Sequence, residues 1–117
     1  MKAHLGMHQK WTVRPAHRTA IHALMTRGLG ASEGTPPNAS FDLFELEGGA
    51  VVGVEMDDGA LDEEAARKGA WLEFLVADPE ATARALDALS VKRIDYRDKE
   101  HAYFQAPGGP VFRLARA

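Results

Sequence analysis

The hydrophobic and polar positions of the chain follow one layout twice. FDLFELEGGAVVGV begins at Phe41, and HAYFQAPGGPVFRL begins sixty residues later at His101. Each segment contains an aromatic residue, a Gly-Gly pair four residues later and then a short apolar run. Because glycine readily adopts the backbone conformations of tight turns, each segment is predicted to form a β-hairpin closed by its Gly-Gly pair. The chain is therefore predicted to use one small β-rich unit twice.

The first half contains two further elements before its hairpin. Alternating polarity predicts a half-buried strand over 5–13, and the helical spacing of apolar residues predicts a helix over 15–27. The stretch 30–40 is rich in Gly, Pro and Ser and is predicted to be a loop, with room for a short edge strand. The hairpin strands are predicted over 41–47 and 50–56.

The second half is predicted to contain a strand, a helix and three more strands. Its first strand is AWLEFLV, in which Leu72, Phe74 and Val76 point to one face and Trp71, Glu73 and Leu75 point to the other. Asp78 is a predicted helix N-cap, and Pro79 follows at the first helical position. The strands VKRIDY, HAYFQAP and PVFRLAR complete this half. The acidic stretch 57–69 is predicted to link the halves and to contain one exposed helical turn.

The size and composition of the chain predict one α+β domain. Its 117 residues, 45% of them hydrophobic, suffice for a single compact core. We expect one domain over 1–117, in which module one spans 1–60 and module two spans 69–117.

Charge and cysteine content exclude several classes of function. The net charge of −3, without basic clusters, argues against nucleic acid or an anionic membrane as a partner. The absence of cysteine removes disulfides and thiolate metal ligands. No apolar stretch approaches the roughly 20 residues of a membrane-spanning helix, and the N-terminus lacks a signal-peptide pattern. These features lead us to expect a soluble cytoplasmic protein.

The two βαβββ modules resemble those of the vicinal oxygen chelate superfamily, which includes glyoxalase I, extradiol dioxygenases and the fosfomycin- and bleomycin-resistance proteins. The resemblance covers nearly the whole chain and is strongest in WLEFLVADPEATARALDAL and YFQAPGGPVFRL, with HQKWTV and GLGA in the first half. It implies a curved mixed sheet around a ligand-binding cup, which is the glyoxalase/bleomycin-resistance fold. It also implies that two chains pair as a homodimer.

The resemblance places two of the superfamily's four metal-ligand positions on residues that cannot bind a cation. Catalytic members hold a divalent metal in the cup with His or Glu from the first and last strands of each module, and His8 is similar to the first such ligand. The carboxylate position falls on Gly53 in module one and on Arg113 in module two, and neither side chain can donate a lone pair. A shifted set of His8, Glu55 and Glu73 is an alternative. The resemblance therefore favours a cup without a metal or other cofactor, in which His8 is either a ligand contact or a strand histidine bonded to a polar neighbour.

Four residues of module two are candidates for ligand contact, in addition to His8 and Glu55 of module one: Trp71, Glu73, Tyr103 and Arg113. In the register that the resemblance implies, Arg113 faces the cup, where it either contacts an anionic ligand group or pairs with Glu73 or Glu55; exposure to solvent is the alternative. Trp71 either offers a stacking wall or packs in the core or a dimer interface. Tyr103 and its neighbour alternate, so that one of them faces inward. The remaining histidines are predicted to lie on the surface: His4, His17, His22 and His101.

Three functions remain open at this stage. The first is a small-molecule binding protein of the glyoxalase/bleomycin-resistance type, which sequesters or senses an aromatic or anionic compound without metal catalysis. The alternative is a metal-dependent lyase, isomerase, dioxygenase or thiol transferase that uses His8, Glu55 and Glu73. The third is an interaction module whose cup is filled by its own side chains.

Overall fold

The computed structural model describes all residues 1–117 and contains two four-stranded sheets of the same order. The first sheet consists of β1 (His8–Val13), β2 (Ser32–Glu33), β3 (Phe41–Glu45) and β4 (Val51–Met56), in the order β1-β4-β3-β2. The second consists of β5 (Leu72–Val76), β6 (Lys92–Ile94), β7 (Tyr103–Gln105) and β8 (Val111–Arg116), in the order β5-β8-β7-β6. In each sheet the first and last strands are parallel and the other pairs are antiparallel. The predicted α+β class and the repeated module are confirmed.

Each module carries one crossover helix between its first two strands. In module one it contains a 3₁₀ turn (Pro15–His17), α1 (Arg18–Ala23) and a π-helical turn (Leu24–Gly28). The linker contains α2 (Glu63–Arg67), and α3 (Pro79–Ala88) is the crossover helix of module two. None of these helices is long and apolar enough to cross a membrane.

The start of α3 is determined by its predicted cap. Oδ1 of Asp78 accepts a hydrogen bond from the backbone N–H of Ala81 at 3.1 Å, and Pro79 is the first helical residue. Such a cap satisfies one of the N–H groups that a helix leaves unpaired at its start. Asp62 caps α2 in the same way through Ala65 at 2.8 Å, so the exposed helical turn predicted in the linker is also present.

The stretch 30–40 was predicted to be a loop with room for a short edge strand, and it contains that edge strand. Ser32 and Glu33 form β2, which pairs antiparallel with Glu45 and Phe44 of β3. A two-residue strand has too few positions to show alternation, and its backbone pairs because the outer edge of β3 is available.

The two crossover helices and one face of each sheet enclose a common core. A cluster of 18 buried residues draws on both modules. Trp11 of β1 contacts Phe74 of β5 edge to face, with ring centroids 6.4 Å apart, and Phe104 stacks on Phe112 at 5.9 Å. Trp11 is 5% exposed, as its predicted place in the core requires. Because the core takes up one face of each sheet, the opposite faces remain for a site.

A buried glutamine attaches the linker to module two. Gln105, which is 1% exposed, donates hydrogen bonds from Nε2 to the backbone oxygens of Glu63 at 2.8 Å and Gly109 at 3.1 Å. Its Oε1 accepts a hydrogen bond from Nε of Arg67 at 2.8 Å. These contacts join α2 to the turn between β7 and β8, so that one side chain holds both segments in place.

Candidate functional site

The strand register of the second sheet brings together three of the predicted site residues. Glu73 of β5 is paired with Arg113 of β8, which in turn is paired with Tyr103 of β7. Paired residues of neighbouring strands point to the same side of a sheet. Phe104, the neighbour of Tyr103, points to the core and is fully buried. The face of the second sheet that carries Glu73, Tyr103 and Arg113 is called the site face below.

Arg113 is the polar centre of the site face. Its Nε donates a hydrogen bond to Oε2 of Glu73 at 2.7 Å, and its guanidinium carbon lies 4.9 Å from the centre of the Trp71 ring. Hydrogen bonds with Tyr103 and Glu73 raise the pKa of Arg113 above its ordinary value. The Arg113 side chain is 26% exposed. Of the three arrangements considered for Arg113, the structure contains the ion pair with Glu73.

Aromatic rings form one wall of the site face. Trp71 meets Tyr103 edge to face at 5.8 Å, and Tyr96 packs against Tyr103 at 4.7 Å. Tyr103 is buried, but Trp71 is 43% exposed. Edge-to-face pairs of this kind favour a fixed ring orientation. The indole of Trp71 is therefore held in place while part of its surface stays open to solvent.

Asp98 connects the site face to the preceding loop and was not predicted from the sequence. Its Oδ2 accepts a hydrogen bond from the Tyr103 hydroxyl at 2.9 Å and lies 2.6 Å from Nδ1 of His101. Nη1 of Arg113 is 3.4 Å from the same oxygen. Oδ1 accepts from the backbone N–H of Glu100 at 2.9 Å. His101, predicted to lie on the surface, is half-buried and held by Asp98.

The pKa of Asp98 is lowered to about 2. The change in this pKa when one hydrogen-bond partner is removed should be measurable. The causes are hydrogen bonds from the Glu100 backbone, His101 and Tyr103, which all favour the carboxylate and outweigh its burial. A lowered folded pKa means that the stabilisation is present above the unfolded pKa of about 3.9 and is lost as pH falls through about 2. We expect a His101→Ala variant to titrate Asp98 at a higher pH in carboxyl-carbon NMR; an unchanged midpoint would contradict the network.

The two predicted site residues of module one lie apart from each other. Glu55 pairs with Lys10 at 2.7 Å. His8 is exposed and lies opposite Val51, whereas Glu55 lies opposite Thr12. Four residues of strand separate these positions, which is about 13 Å. His8 therefore does not contact Glu55 within the chain.

The residues present do not fit a divalent metal. No group of three His, Asp or Glu side chains in the chain is arranged to hold one. Glu55 is engaged by Lys10 and Glu73 by Arg113, so the alternative ligand set is not assembled. Gly53, at the carboxylate position of module one, is covered by Phe41: a Cβ there would lie 2.7 Å from Cε1 of that ring.

The site face is an open surface in the single chain. The two main cavities have volumes of about 510 and 400 Å³. The larger lies near the start of α3 and the end of β8, and the smaller lies between β1 and the linker. Neither is lined by Trp71, Glu73, Tyr103 or Arg113.

Comparison with known proteins finds similarity in structure alone. No protein-family model and no curated protein matches the sequence. FosX, a fosfomycin resistance protein from Mesorhizobium loti, matches with a TM-score of 0.74 at 18% identity over 100% of this chain and 94% of its own. FosX from Listeria monocytogenes, complexed with Mn(II) and sulfate, matches with a TM-score of 0.74 at 16% identity over 100% and 92%.

A third solved structure extends the similarity beyond fosfomycin resistance. A protein from Bacillus cereus described as a possible glyoxalase matches with a TM-score of 0.71 at 16% identity, over 96% of this chain and 98% of its own. All three matches span nearly the full length of both chains, so the order and packing of both modules are shared. The chain therefore has the fold of these proteins, the glyoxalase/bleomycin-resistance fold.

Proposed function

We propose that the protein binds a small aromatic compound on the site face and acts by sequestration or sensing, without metal catalysis. The observation that carries the proposal is the stack of Arg113 on the half-exposed ring of Trp71. An indole fixed on one side and open on the other can receive a planar ligand without rearrangement. We include a cytoplasmic location in the proposal, because a chain without cysteine is compatible with that reducing compartment.

The apolar surface of the site face would supply affinity. Burial of apolar area contributes about 25 cal/mol per Å² before the costs of association are subtracted. Trp71 is 43% exposed and Leu75, two positions beyond Glu73 on the same face of β5, is 62% exposed. A ligand that covers the indole removes the largest exposed ring of the chain from water.

The charges around Arg113 favour an aromatic ligand over an anionic one. Glu73 and Asp98 both contact the guanidinium, so two carboxylates face one cation. Nη2 of Arg113 makes no hydrogen bond within the chain, whereas Nε and Nη1 do. The N–H groups of Nη2 can donate to a neutral acceptor such as a carbonyl or phenol oxygen, while the neighbouring carboxylates repel a ligand group that carries a full negative charge.

We also propose that a second copy of the chain closes the cup. The site face is open and carries the exposed side chains of Trp71 and Leu75. The first sheet of a partner would bring its own Lys10–Glu55 pair opposite charges of both signs on the site face. Native mass spectrometry of the purified protein should give the mass of a dimer; a monomer at micromolar concentration would contradict this part of the proposal.

The binding test uses Trp71 and Arg113 variants against planar aromatic probes with a neutral acceptor group, such as coumarin and quinolone compounds. We expect Trp71→Ala and Arg113→Ala each to weaken binding about fivefold, since a stacked aromatic contact or a ligand hydrogen bond contributes about 1 kcal/mol. Calorimetric titration measures the affinity. Leu61→Ala and Arg18→Ala are matched controls, because Leu61 is exposed and lines the smaller cavity, which no site-face residue lines, and Arg18 pairs with Asp42 in module one. Equal affinities for all four variants would overturn the proposal.

A metal-dependent enzyme remains the second candidate, because one of the structural neighbours, FosX from Listeria monocytogenes, is complexed with Mn(II). In that case a partner subunit would have to bring His8 to Glu73 and displace Arg113. Elemental analysis of protein purified without chelators separates the two functions. Stoichiometric metal that is lost in Glu73→Gln would favour the enzyme and count against the binding protein.

A further inference from the structure

The larger cavity has the features of a second binding site. Its volume of about 510 Å³ falls in the range of small-molecule pockets. Its charged lining side chains are three cations and two acids, so its net charge is positive: Arg93, Lys99, Arg116, Glu80 and Glu100. His101 also lines it, whereas none of the site-face residues described above does.

His101 is held in one tautomer at this cavity. Its Nδ1 lies 2.6 Å from Oδ2 of Asp98. An ionised carboxylate can only accept, so Nδ1 carries the hydrogen and Nε2 of the neutral ring is left with a lone pair. Asp98 is itself fixed by the Glu100 backbone and the Tyr103 hydroxyl. Nε2 has no hydrogen-bond partner within the chain, and it is therefore an oriented acceptor for a donor group of a ligand.

Two arginines of the lining retain free donors. Arg93 binds Asp87 through Nε and Nη2, which leaves Nη1 unpaired. Arg116 binds Glu80 through Nη2 and the Ala77 carbonyl through Nη1, which leaves Nε unpaired. Both ion pairs are at least 46% exposed, and pairs of this kind contribute little to stability. The guanidinium groups can therefore turn to a ligand carboxylate at small cost.

We propose that this cavity binds a small hydroxycarboxylic acid. The ligand hydroxyl donates its hydrogen to Nε2 of His101, and its carboxylate oxygens accept from Arg93 and Arg116. The site is independent of the aromatic compound proposed for the site face. Its selectivity comes from the hydroxyl, because an analogue that lacks this group covers the oriented Nε2 without giving it a donor.

The test compares malate with succinate, which differ by one hydroxyl and carry two carboxylates each. We expect wild-type protein to bind malate at least tenfold more tightly than succinate in calorimetric titration. His101→Ala should abolish this preference. Asp98→Asn should do the same, because an amide can donate to Nδ1 and leave the ring hydrogen on Nε2. His22→Ala is the matched control, since His22 also contacts a carboxylate, that of Glu33, but lines neither main cavity.

Three results would overturn the proposal. These are equal affinities for malate and succinate, a malate preference that survives in His101→Ala, and an NMR nitrogen shift showing that Nε2 of His101 carries the hydrogen in the free protein. Trp71→Ala should leave malate binding unchanged, because Trp71 does not line this cavity. Failure of this site and failure of the aromatic site are therefore distinguishable.

Discussion

Replacing Gly108 with alanine is expected to lower the free energy of unfolding by about 3 kcal/mol. Gly108 has a φ of +67°, in the left-handed region where a side chain is disfavoured. A Cβ at this position would also lie 2.8 Å from Cγ and Nε2 of His17, so the whole ring would have to move. The cost combines backbone strain with overpacking between the two modules. Urea denaturation followed by circular dichroism measures it.

The internal repeat supplies the control for this prediction. Gly48 occupies the corresponding turn of module one with a φ of +87°, but a Cβ there would have no neighbour within 4 Å. Gly48→Ala should therefore cost only the strain, about 1 kcal/mol. In a His17→Ala background, the cost of Gly108→Ala should fall to that of Gly48→Ala. If both glycine variants lose the same stability in the wild-type background, the packing of the second turn on His17 is not a source of stability.

The same pair of turns shows what the sequence can predict. The Gly-Gly pairs predict both hairpins because positive φ at Gly48 and Gly108 is a local requirement that glycine meets without cost. The contact of Gly108 with His17 cannot be predicted in this way, since it joins residues from different modules. His17 was predicted to be a surface residue, and the structure shows it half-buried beneath this turn.

The candidate site likewise contains residues that the sequence predicts and residues that it does not. Alternation along β5 and β8 predicts that Glu73 and Arg113 share a face, and their ion pair at 2.7 Å follows from that register. Asp98 and Tyr96 lie in the irregular stretch between β6 and β7, where no period relates one residue to the next. The only local signal is that Asp98 accepts a hydrogen bond from the backbone N–H of Glu100, two residues later. This turn pattern is common to many aspartates.

The metal question shows a different limit. The resemblance to catalytic relatives identifies the positions of Gly53 and Arg113, and the chemistry of these two residues argues against metal binding from the sequence alone. The structure adds what occupies the positions, namely the Phe41 ring over Gly53 and the Trp71 ring beneath Arg113. Side-chain packing of this kind depends on rotamers and neighbours from separate strands, which a single sequence does not determine.

Replacing Gln105 with leucine is expected to destabilise the protein by about 3 kcal/mol, although the two side chains have similar volumes. The change removes two N–H donors from the backbone oxygens of Glu63 and Gly109 and one acceptor from Arg67. Gly109 is buried, so its carbonyl cannot recover a hydrogen bond from water without opening the turn. Urea denaturation measures the global loss, and amide hydrogen exchange should show faster opening of α2.

A conservative variant and a control separate the hydrogen bonds from the packing. Gln105→Glu retains an acceptor for Arg67 but removes both donors and places a carboxylate against the carbonyl oxygens of Glu63 and Gly109. It should therefore destabilise the protein nearly as much as leucine. Gln9→Leu is the control, because Gln9 is exposed and its Oε1 only accepts from Nε1 of Trp11 at 2.8 Å. Gln105 is the sole buried polar residue of the chain. If Gln105→Leu keeps wild-type stability, the linker helix is held by other contacts.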